Sequence, residues 1–488
     1  MMSTSLAKNT FYLTLATIGQ KIIAFLYFAM IARFMGAEDT GSYFLALAVV
    51  TVVMVLDDLG ITSVLIRETA KKVADARLWC QTMMGIKLIT MPITIVIVFF
   101  LPLVLGFDEQ TTFLIRLAVI IMLADTMALS FYGVLRGLQS LKYEAIGVFV
   151  GMAAIASFGT TLFLMDMATL PLLIVAMMIG SLWNVVFSAS RVVKRLGWSA
   201  LRPTWKQGWK PLKIAFAFFL AAAFVKIYSY VDSIMLSTQL GNEAVGIYSV
   251  AYKLTYAFQF FPLAFIGALF PAMSQAAHDP NRLKKIFLDA LWYMMLIGCP
   301  IVFGVWSIAP ELIVAFYGLE YVGSILPLQV LIFVLVFIFL DFPIGSLLNA
   351  TDRQSIKTGI MGGTMVINIA ANIVLIPRYE VLGACIAALI SFVFMFGAGW
   401  FFTRKVFPIT ALDVTRRIGG IFAAAIIMAI VVTFVKPLLH FSLAIPLGAI
   451  VYIALLFAFR SITSDHLQIL KRVLRKPTYA PQDPPSNA

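Results

Sequence analysis

About fourteen stretches of roughly 20 predominantly apolar residues follow one another through the chain, with short polar connections between them. A stretch of that length is what an α-helix needs to cross the hydrocarbon core of a membrane. The runs are continuous and lack the residue-by-residue alternation of a transmembrane β-barrel, so they predict helices. The predicted spans are 11–34, 40–65, 80–105, 112–135, 144–165, 168–190, 213–238, 245–272, 287–309, 325–349, 358–377, 381–403, 418–436 and 439–459.

The composition excludes a soluble domain. Hydrophobic residues make up 62% of the 488 positions and charged residues 12%, with a mean hydropathy of +0.99. Such a chain has too little polar surface to cover a water-exposed fold of this size. We therefore expect an all-α polytopic membrane protein.

An internal repeat divides the chain. The segment Gly36–Tyr43 (GAEDTGSY) recurs as Gly241–Tyr248 (GNEAVGIY), and the same offset aligns Lys21 with Lys226. Because the first and seventh spans begin on the same side, the pattern predicts two six-helix bundles related as parallel repeats. The predicted parts are a first bundle at 1–190, a basic cytoplasmic connector at 191–212, a second bundle at 213–404, a terminal helix pair at 405–460 and a partly disordered cytoplasmic tail at 461–488.

The basic residues predict the orientation. Most of the 36 lysines and arginines fall in connections on the side of the N-terminus, whereas the opposite connections hold Arg33, Arg116, Arg378 and Lys436. The positive-inside rule then places both termini in the cytoplasm and the protein in the plasma membrane. The net charge of +13 follows from this topology and requires no nucleic-acid partner.

Lysines within the spans are the first candidate site. Lys21 and Lys226 lie near the middle of their spans, where a lysine costs about 2.5–3.5 kcal/mol, and Lys253 lies in the eighth span. Ammonium groups beside hydroxyls and aromatic rings suit a phosphate or pyrophosphate and the sugar next to it. The alternative is that each lysine pairs with a buried carboxylate or reaches a membrane surface; Lys87, near an inner end, is predicted to do the latter. Candidate polar neighbours are Thr17, Tyr230, Ser233, Asn368 and Asn372.

Acids within the spans are the second set of candidates. Asp58, Asp125, Asp232 and Asp341 could bind a coupling ion, or they could neutralise the lysines. Asn368 and Asn372 are four residues apart on one helix, which also suits a hydrogen bond between helices.

The chain shows no enzyme-like pattern. The connections on the outer side are short and leave little room for acid–base groups, and no phosphate-binding loop is present. Cys80, Cys299 and Cys385 are scattered, as are the three histidines, so we expect no metal site and no cofactor. An ion gradient or the membrane potential would have to drive any transport.

Several segments follow a known family pattern over residues 5–460. They include Ala32–Tyr43, Asp58–Ile61, Leu135–Gln139, Gly246–Tyr248 and Leu375–Pro377. In these segments the chain resembles the polysaccharide transporter branch of the multidrug/oligosaccharidyl-lipid/polysaccharide exporter superfamily. The resemblance implies two six-helix bundles around a central cationic cavity, which Lys21, Lys226 and Lys253 match in residue type.

The same resemblance implies a flippase. Such a protein moves an oligosaccharide on a polyprenyl pyrophosphate from the inner to the outer leaflet for surface polysaccharide synthesis, among membrane lipids and other assembly proteins. A drug or organic-cation antiporter of the same superfamily is the main alternative, although paired lysines argue against a cationic substrate. A membrane polymerase or ligase is a further alternative that the short outer connections disfavour. The glycan, the lipid carrier and the coupling ion stay open.

Overall fold

The computed structural model describes residues 2–462, with the side chains of 17–262, 265, 267, 269–440 and 442–462. Within that part of the chain the fold is entirely helical, which confirms the predicted class. The predicted tail lies outside the described residues from position 463 onward. The α-helices are α1 (Met2–Asp58), α2 (Ile61–Lys71), α3 (Ala76–Leu105), α4 (Glu109–Leu117), α5 (Val119–Gly137), α6 (Leu141–Leu164), α7 (Leu170–Leu196), α8 (Lys210–Leu240), α9 (Asn242–Ala257), α10 (Phe260–Gln275), α11 (Pro280–Ser307), α12 (Ala309–Tyr317), α13 (Ile325–Leu331), α14 (Val334–Ala350), α15 (Gln354–Thr403), α16 (Ala411–Val435) and α17 (Phe441–Ala458).

Ten helical segments in the described residues are long and apolar enough to cross a membrane, and the apolar stretch Ser442–Ala458 is shorter. The two longest α-helices each contain a break in helical geometry, at Gly36 in α1 and at Glu380 in α15. These breaks fall where the sequence predicts that one span ends and the next begins. The polytopic architecture is therefore confirmed, while the count of fourteen spans stays a prediction.

The helices pack as two groups that meet along α1. In the first group α1 packs on α6, and α7 packs on both α5 and α6; in the second, α8 and α14 pack on α15. Helix α16 packs against α11 and against α17. Contacts between the groups run from α1 to α8 and α9. Below, "first half" means residues up to 190 and "second half" means 213–404.

The repeated segments contact each other at one end of this interface, which the sequence predicts to face outward. The leading glycine of each copy, Gly36 and Gly241, has a positive φ of 80° and 89° that a side chain would strain. The second glycine of each copy touches the backbone of the other. A Cβ added at Gly41 would lie 1.8 Å from the carbonyl oxygen of Asn242, and one at Gly246 would lie 1.9 Å from that of Ala37. We call this contact between residues 36–43 and 241–248 the outer seal.

Hydrogen bonds reinforce the outer seal. The side-chain nitrogen of Asn242 lies 2.7 Å from the Thr111 hydroxyl and 3.0 Å from that of Ser42, so it joins the halves. The buried Tyr321 donates 3.0 Å bonds toward Thr40 and the carbonyl of Ala32. Buried polar groups are costly unless paired, so these contacts hold the two halves together at this end.

Candidate functional site

A cavity of about 1480 Å³ lies between the halves. It extends from residues at mid-helix, such as Lys21 and Tyr252, to the ends of α2 and α15 at Arg67 and Gln354. That end is predicted to face the cytoplasm, and the outer seal lies at the other. The cavity is larger than the usual 300–1,000 Å³ of small-molecule sites and is open at one end of the bundle.

The structure brings the three predicted lysines together. Lys21 and Lys253 line the cavity, and Lys226 lies beside its wall with its ammonium 5.7 Å from the ring centroid of the lining residue Tyr230. None of the three forms an ion pair with any of the described residues. The site therefore presents concentrated positive charge without a carboxylate to neutralise it.

Aromatic rings surround these lysines. The ammonium of Lys253 lies 5.1 Å from the ring centroid of Phe28 and 5.3 Å from that of Phe44. Such contacts partly compensate a cation for its lost water. They stabilise Lys253 but leave its hydrogen-bond donors available to an anion.

The predicted acids have different surroundings. Asp341 lines the cavity but is paired with Lys357, whose ammonium lies 2.7 Å from Oδ1. Asp58 accepts a hydrogen bond from Thr62, one turn further along the chain. Of the two roles considered for Asp341, charge pairing is the one that the geometry favours.

The structure contradicts the prediction that Lys87 reaches a membrane surface. Lys87 is 2% exposed, and its ammonium lies 2.7 Å from a carboxylate oxygen of Asp57 on α1. Thr90 donates a second 2.7 Å bond to the same carboxylate. This buried pair ties α3 to α1 and lies outside the residues that line the cavity.

Asp232 lies in a separate buried network of the second half. Its carboxylate accepts hydrogen bonds from Tyr248 at 2.8 Å and from Asn372 at 2.6 Å, and Asn368 contacts Ser391 at 3.4 Å. No lysine or arginine of the described part pairs with it. The amide oxygen of Asn372 and the hydroxyl of the neighbouring Ser233 are buried without a hydrogen-bond partner there. The two predicted asparagines and Ser233 thus lie with Asp232 and do not line the central cavity.

Asp125 lies in a smaller cavity of about 170 Å³ that is lined mostly by the first half. Thr51 also lines this side cavity, and Tyr230 and Lys253 line both cavities. Asp125, like Asp232, has no basic partner among the described residues. Thr17 is partly buried and lines neither cavity.

The structure adds residues that the sequence did not single out. Arg67, Asn349 and Gln354 line the open end of the central cavity. They come from the end of α2 and from the turn between α14 and α15, where polar residues are expected in any membrane protein, so no local signal distinguished them. In the described residues no group of three or more histidine, cysteine or acidic side chains is arranged to hold a metal ion.

Comparisons with known proteins agree with this architecture. A family model described as "Polysaccharide biosynthesis protein" matches residues 6–277, and the MatE model matches 217–374. The probable low-salt glycan biosynthesis flippase Agl15 of Haloferax volcanii is 21% identical over 396 residues, covering 79% of this chain and 81% of that protein. The teichuronic acid biosynthesis protein TuaB of Bacillus subtilis is 21% identical over 361 residues, covering 70% and 71%.

A solved structure shares the fold. The lipid II flippase MurJ in an inward closed conformation superposes with a TM-score of 0.72 at 17% identity, covering 95% of this chain and 99% of that one. Members of the polysaccharide biosynthesis family are membrane transporters and not enzymes. Since the model of this family matches more than half of the sequence, the chain belongs to it and thereby to the multidrug/oligosaccharidyl-lipid/polysaccharide exporter superfamily.

Proposed function

We propose that this protein moves an oligosaccharide linked to a polyprenyl pyrophosphate from the inner to the outer leaflet by alternating access. The observation that carries the proposal is the group of lysines at mid-membrane without acidic partners in the described structure. Isolated cations at this depth are costly, so a bound anion is the natural counter-charge. A pyrophosphate supplies that charge and accepts several ammonium hydrogen bonds.

The lining also disfavours a cationic substrate. Lys21, Arg67, Lys253 and Lys357 line the cavity, against Asp341 and Asp352. With Lys357 paired with Asp341 and Arg67 3.5 Å from a carboxylate oxygen of Glu68, the excess of positive charge remains at Lys21 and Lys253. An organic-cation antiporter requires the opposite balance.

The shape of the cavity supports loading from the inner leaflet. Under the predicted topology the cavity opens to the cytoplasm while the outer seal is closed. The glycan and pyrophosphate would enter the cavity. The apolar tail would stay in the bilayer, where no apolar surface is exposed to water. Opening the outer seal and closing the inner end would then complete the transfer.

Asp232 is our candidate for ion coupling. A buried carboxylate with hydroxyl and amide neighbours and no basic partner in the described structure suits a proton or a monovalent cation. Asp125 in the side cavity is the corresponding candidate in the first half. By contrast, the carboxylates of Asp57 and Asp341 already have lysine partners.

The test is to follow lipid-linked oligosaccharide in cells that carry the wild-type gene, a deletion, or Lys21→Ala with Lys226→Ala. We expect the intermediate to accumulate in the inner leaflet of both the deletion and the double variant. Each charge-assisted hydrogen bond is worth about 1.5–3 kcal/mol, so each lysine should contribute roughly tenfold or more to transport. Lys72→Ala is the matched control, because that exposed lysine pairs with Asp75 at 3.1 Å and neither residue lines the cavity.

The outcomes separate function from site. Accumulation in the deletion and normal export in the double variant would retain the flippase and reject the lysine site. Absence of accumulation in the deletion would reject the flippase. Membrane insertion of each variant is checked by immunoblotting of the membrane fraction.

A further inference from the structure

The walls of the central cavity are chemically unequal. The first half contributes Lys21, Ala24, Phe25 and Arg67, and the remaining lining side chains in the described structure come from the second half. The neutral hydrogen-bonding groups and the carboxylates are therefore all on the second half. A polar substrate held by the lysines would meet that wall with the rest of its surface.

The second half presents rigid aromatic rings. Tyr252 and Tyr256, four residues apart on α9, have ring centroids 4.2 Å apart and planes tilted by 33°. Both line the cavity, and Tyr256 is the more exposed of the two. Tyr228 lines it from α8, with its ring packed edge-on against Phe392 at 5.7 Å. Rings fixed in this way offer a flat apolar face at low entropic cost, which suits the C–H face of a sugar ring.

A polar track continues from these rings toward the open end. Asp341, Gly345 and Asn349 lie four residues apart on one face of α14, and all three line the cavity. A Cβ at Gly345 would make an ordinary contact with Cε of Lys357 at 3.4 Å, so the middle of the track lies against the lysine that pairs with Asp341. At 1.5 Å per residue, Asn349 lies about 12 Å further along than Asp341.

Both ends of the track can bind hydroxyl groups. The Asp341 carboxylate is held by Lys357 but retains lone pairs that can accept from a hydroxyl. Asn349 is exposed and lines the cavity, so its amide is accessible to a ligand. A side-chain amide both donates and accepts hydrogen bonds, so it can bind a sugar hydroxyl that acts as either acceptor or donor.

Building on the function proposed above, we infer that the second half carries a glycan-recognition surface. Tyr256 stacks on the sugar next to the pyrophosphate, and Asp341 and Asn349 bind hydroxyls of sugars nearer the open end. The ligand class is a pyrophosphate-linked oligosaccharide of more than one sugar. Lys21, from the first half, binds the pyrophosphate whatever glycan it carries.

Two binding probes test the inference. Purified protein in nanodiscs is titrated with undecaprenyl pyrophosphate and with the lipid-linked oligosaccharide extracted from deletion cells. For wild type, the glycan should increase affinity. Tyr256→Leu and Asn349→Ala should each reduce affinity for the glycan-bearing probe roughly fivefold to tenfold and leave the sugar-free probe unchanged. Tyr256→Phe, which keeps the ring, should retain the stacking contribution.

Each other result rejects the recognition surface. Equal affinity of wild type for both probes would show that the glycan is not bound, and equal loss for both probes in the variants would show a structural effect. Unchanged binding in both variants would place the glycan elsewhere. Lys21→Ala should weaken both probes, and its failure to do so would count against the proposed function instead. Asn349→Ala keeps the test valid if Tyr256→Leu unfolds, because Asn349 is exposed.

Discussion

The outer seal gives the sharpest test of how the protein opens. Gly41 of the first copy lies against the backbone of Asn242 at the start of the second copy, so no side chain fits between them. In Gly41→Ala the new Cβ would lie 1.8 Å from the Asn242 carbonyl oxygen. To reach an ordinary contact, the two backbones must separate by at least about 1.5 Å.

That separation also breaks hydrogen bonds. The Asn242 side chain contacts Ser42 and Thr111 at 3.0 and 2.7 Å, and a shift of this size lengthens both beyond bonding distance. At about 1 kcal/mol each, their loss weakens the closed seal by about 2 kcal/mol. This corresponds to a roughly 30-fold increase in the ratio of open to closed seal.

The assay is labelling of a cysteine within the seal by a membrane-impermeant maleimide applied outside intact cells. Val245→Cys is a suitable reporter, because Val245 is fully buried between the two glycines of the second copy. The native cysteines Cys80, Cys299 and Cys385 are also buried and contribute little background. Gly41→Ala should label about 30-fold faster than the reporter alone.

Gly397→Ala is the matched control, since a Cβ added at this helical glycine meets nothing within 4 Å. It should label at the reporter's own rate. Equal rates for Gly41→Ala and Gly397→Ala would refute the reasoning, because the seal would then tolerate a side chain that the backbone contact forbids.

Three further outcomes follow from buried contacts. Lys87→Met should destabilise the protein by about 3–5 kcal/mol because it leaves the Asp57 carboxylate unpaired, and Asp57→Leu in the same chain should restore most of that loss in a thermal unfolding assay in detergent. Asp232→Asn should keep the fold but abolish the dependence of transport on an ion gradient, measured in proteoliposomes with and without the gradient; retained dependence would exclude Asp232 as the coupling group. Tyr321→Phe removes the hydroxyl that contacts Thr40 and should raise labelling of the seal reporter roughly fivefold to tenfold, whereas an unchanged rate would mean that the bond does not hold the seal.

The helical architecture could be predicted because its signal is local. Apolar length determines which segments cross a membrane, and the breaks at Gly36 and Glu380 fall between predicted spans. The cationic cavity was also predictable in part. Lys21 and Lys253 line it because a lysine within a membrane span faces the bundle interior or a water-filled cavity and not the lipid.

Pairings between helices could not be predicted in the same way. Lys87 and Asp57 are thirty positions apart on different helices, and nothing periodic in the sequence links them. Because Lys87 is close to the inner end of its helix, the sequence favoured a position at the membrane surface. In the structure its ammonium instead pairs with Asp57 on α1. Likewise the repeat revealed two copies of one segment, but that the copies touch depends on how the two halves face each other.

Lys21 and Lys226 each lie one stretch of helix before a copy of the outer seal, which bears on how binding drives opening. Lys21 precedes Gly36 on α1, and Lys226 on α8 precedes Gly241, the residue directly after that helix, by about 22 Å of helix in each case. Lys21 belongs to the first half and Lys226 and Lys253 to the second, so like charges repel each other across the interface. On the proposed function, this repulsion keeps the inner end open until a pyrophosphate neutralises it. The halves then approach at the lysines, and the helical segments 21–35 of α1 and 226–240 of α8 convert that approach into separation of the glycines at the outer end. An anion that binds at one level thereby changes the contact at another without touching it.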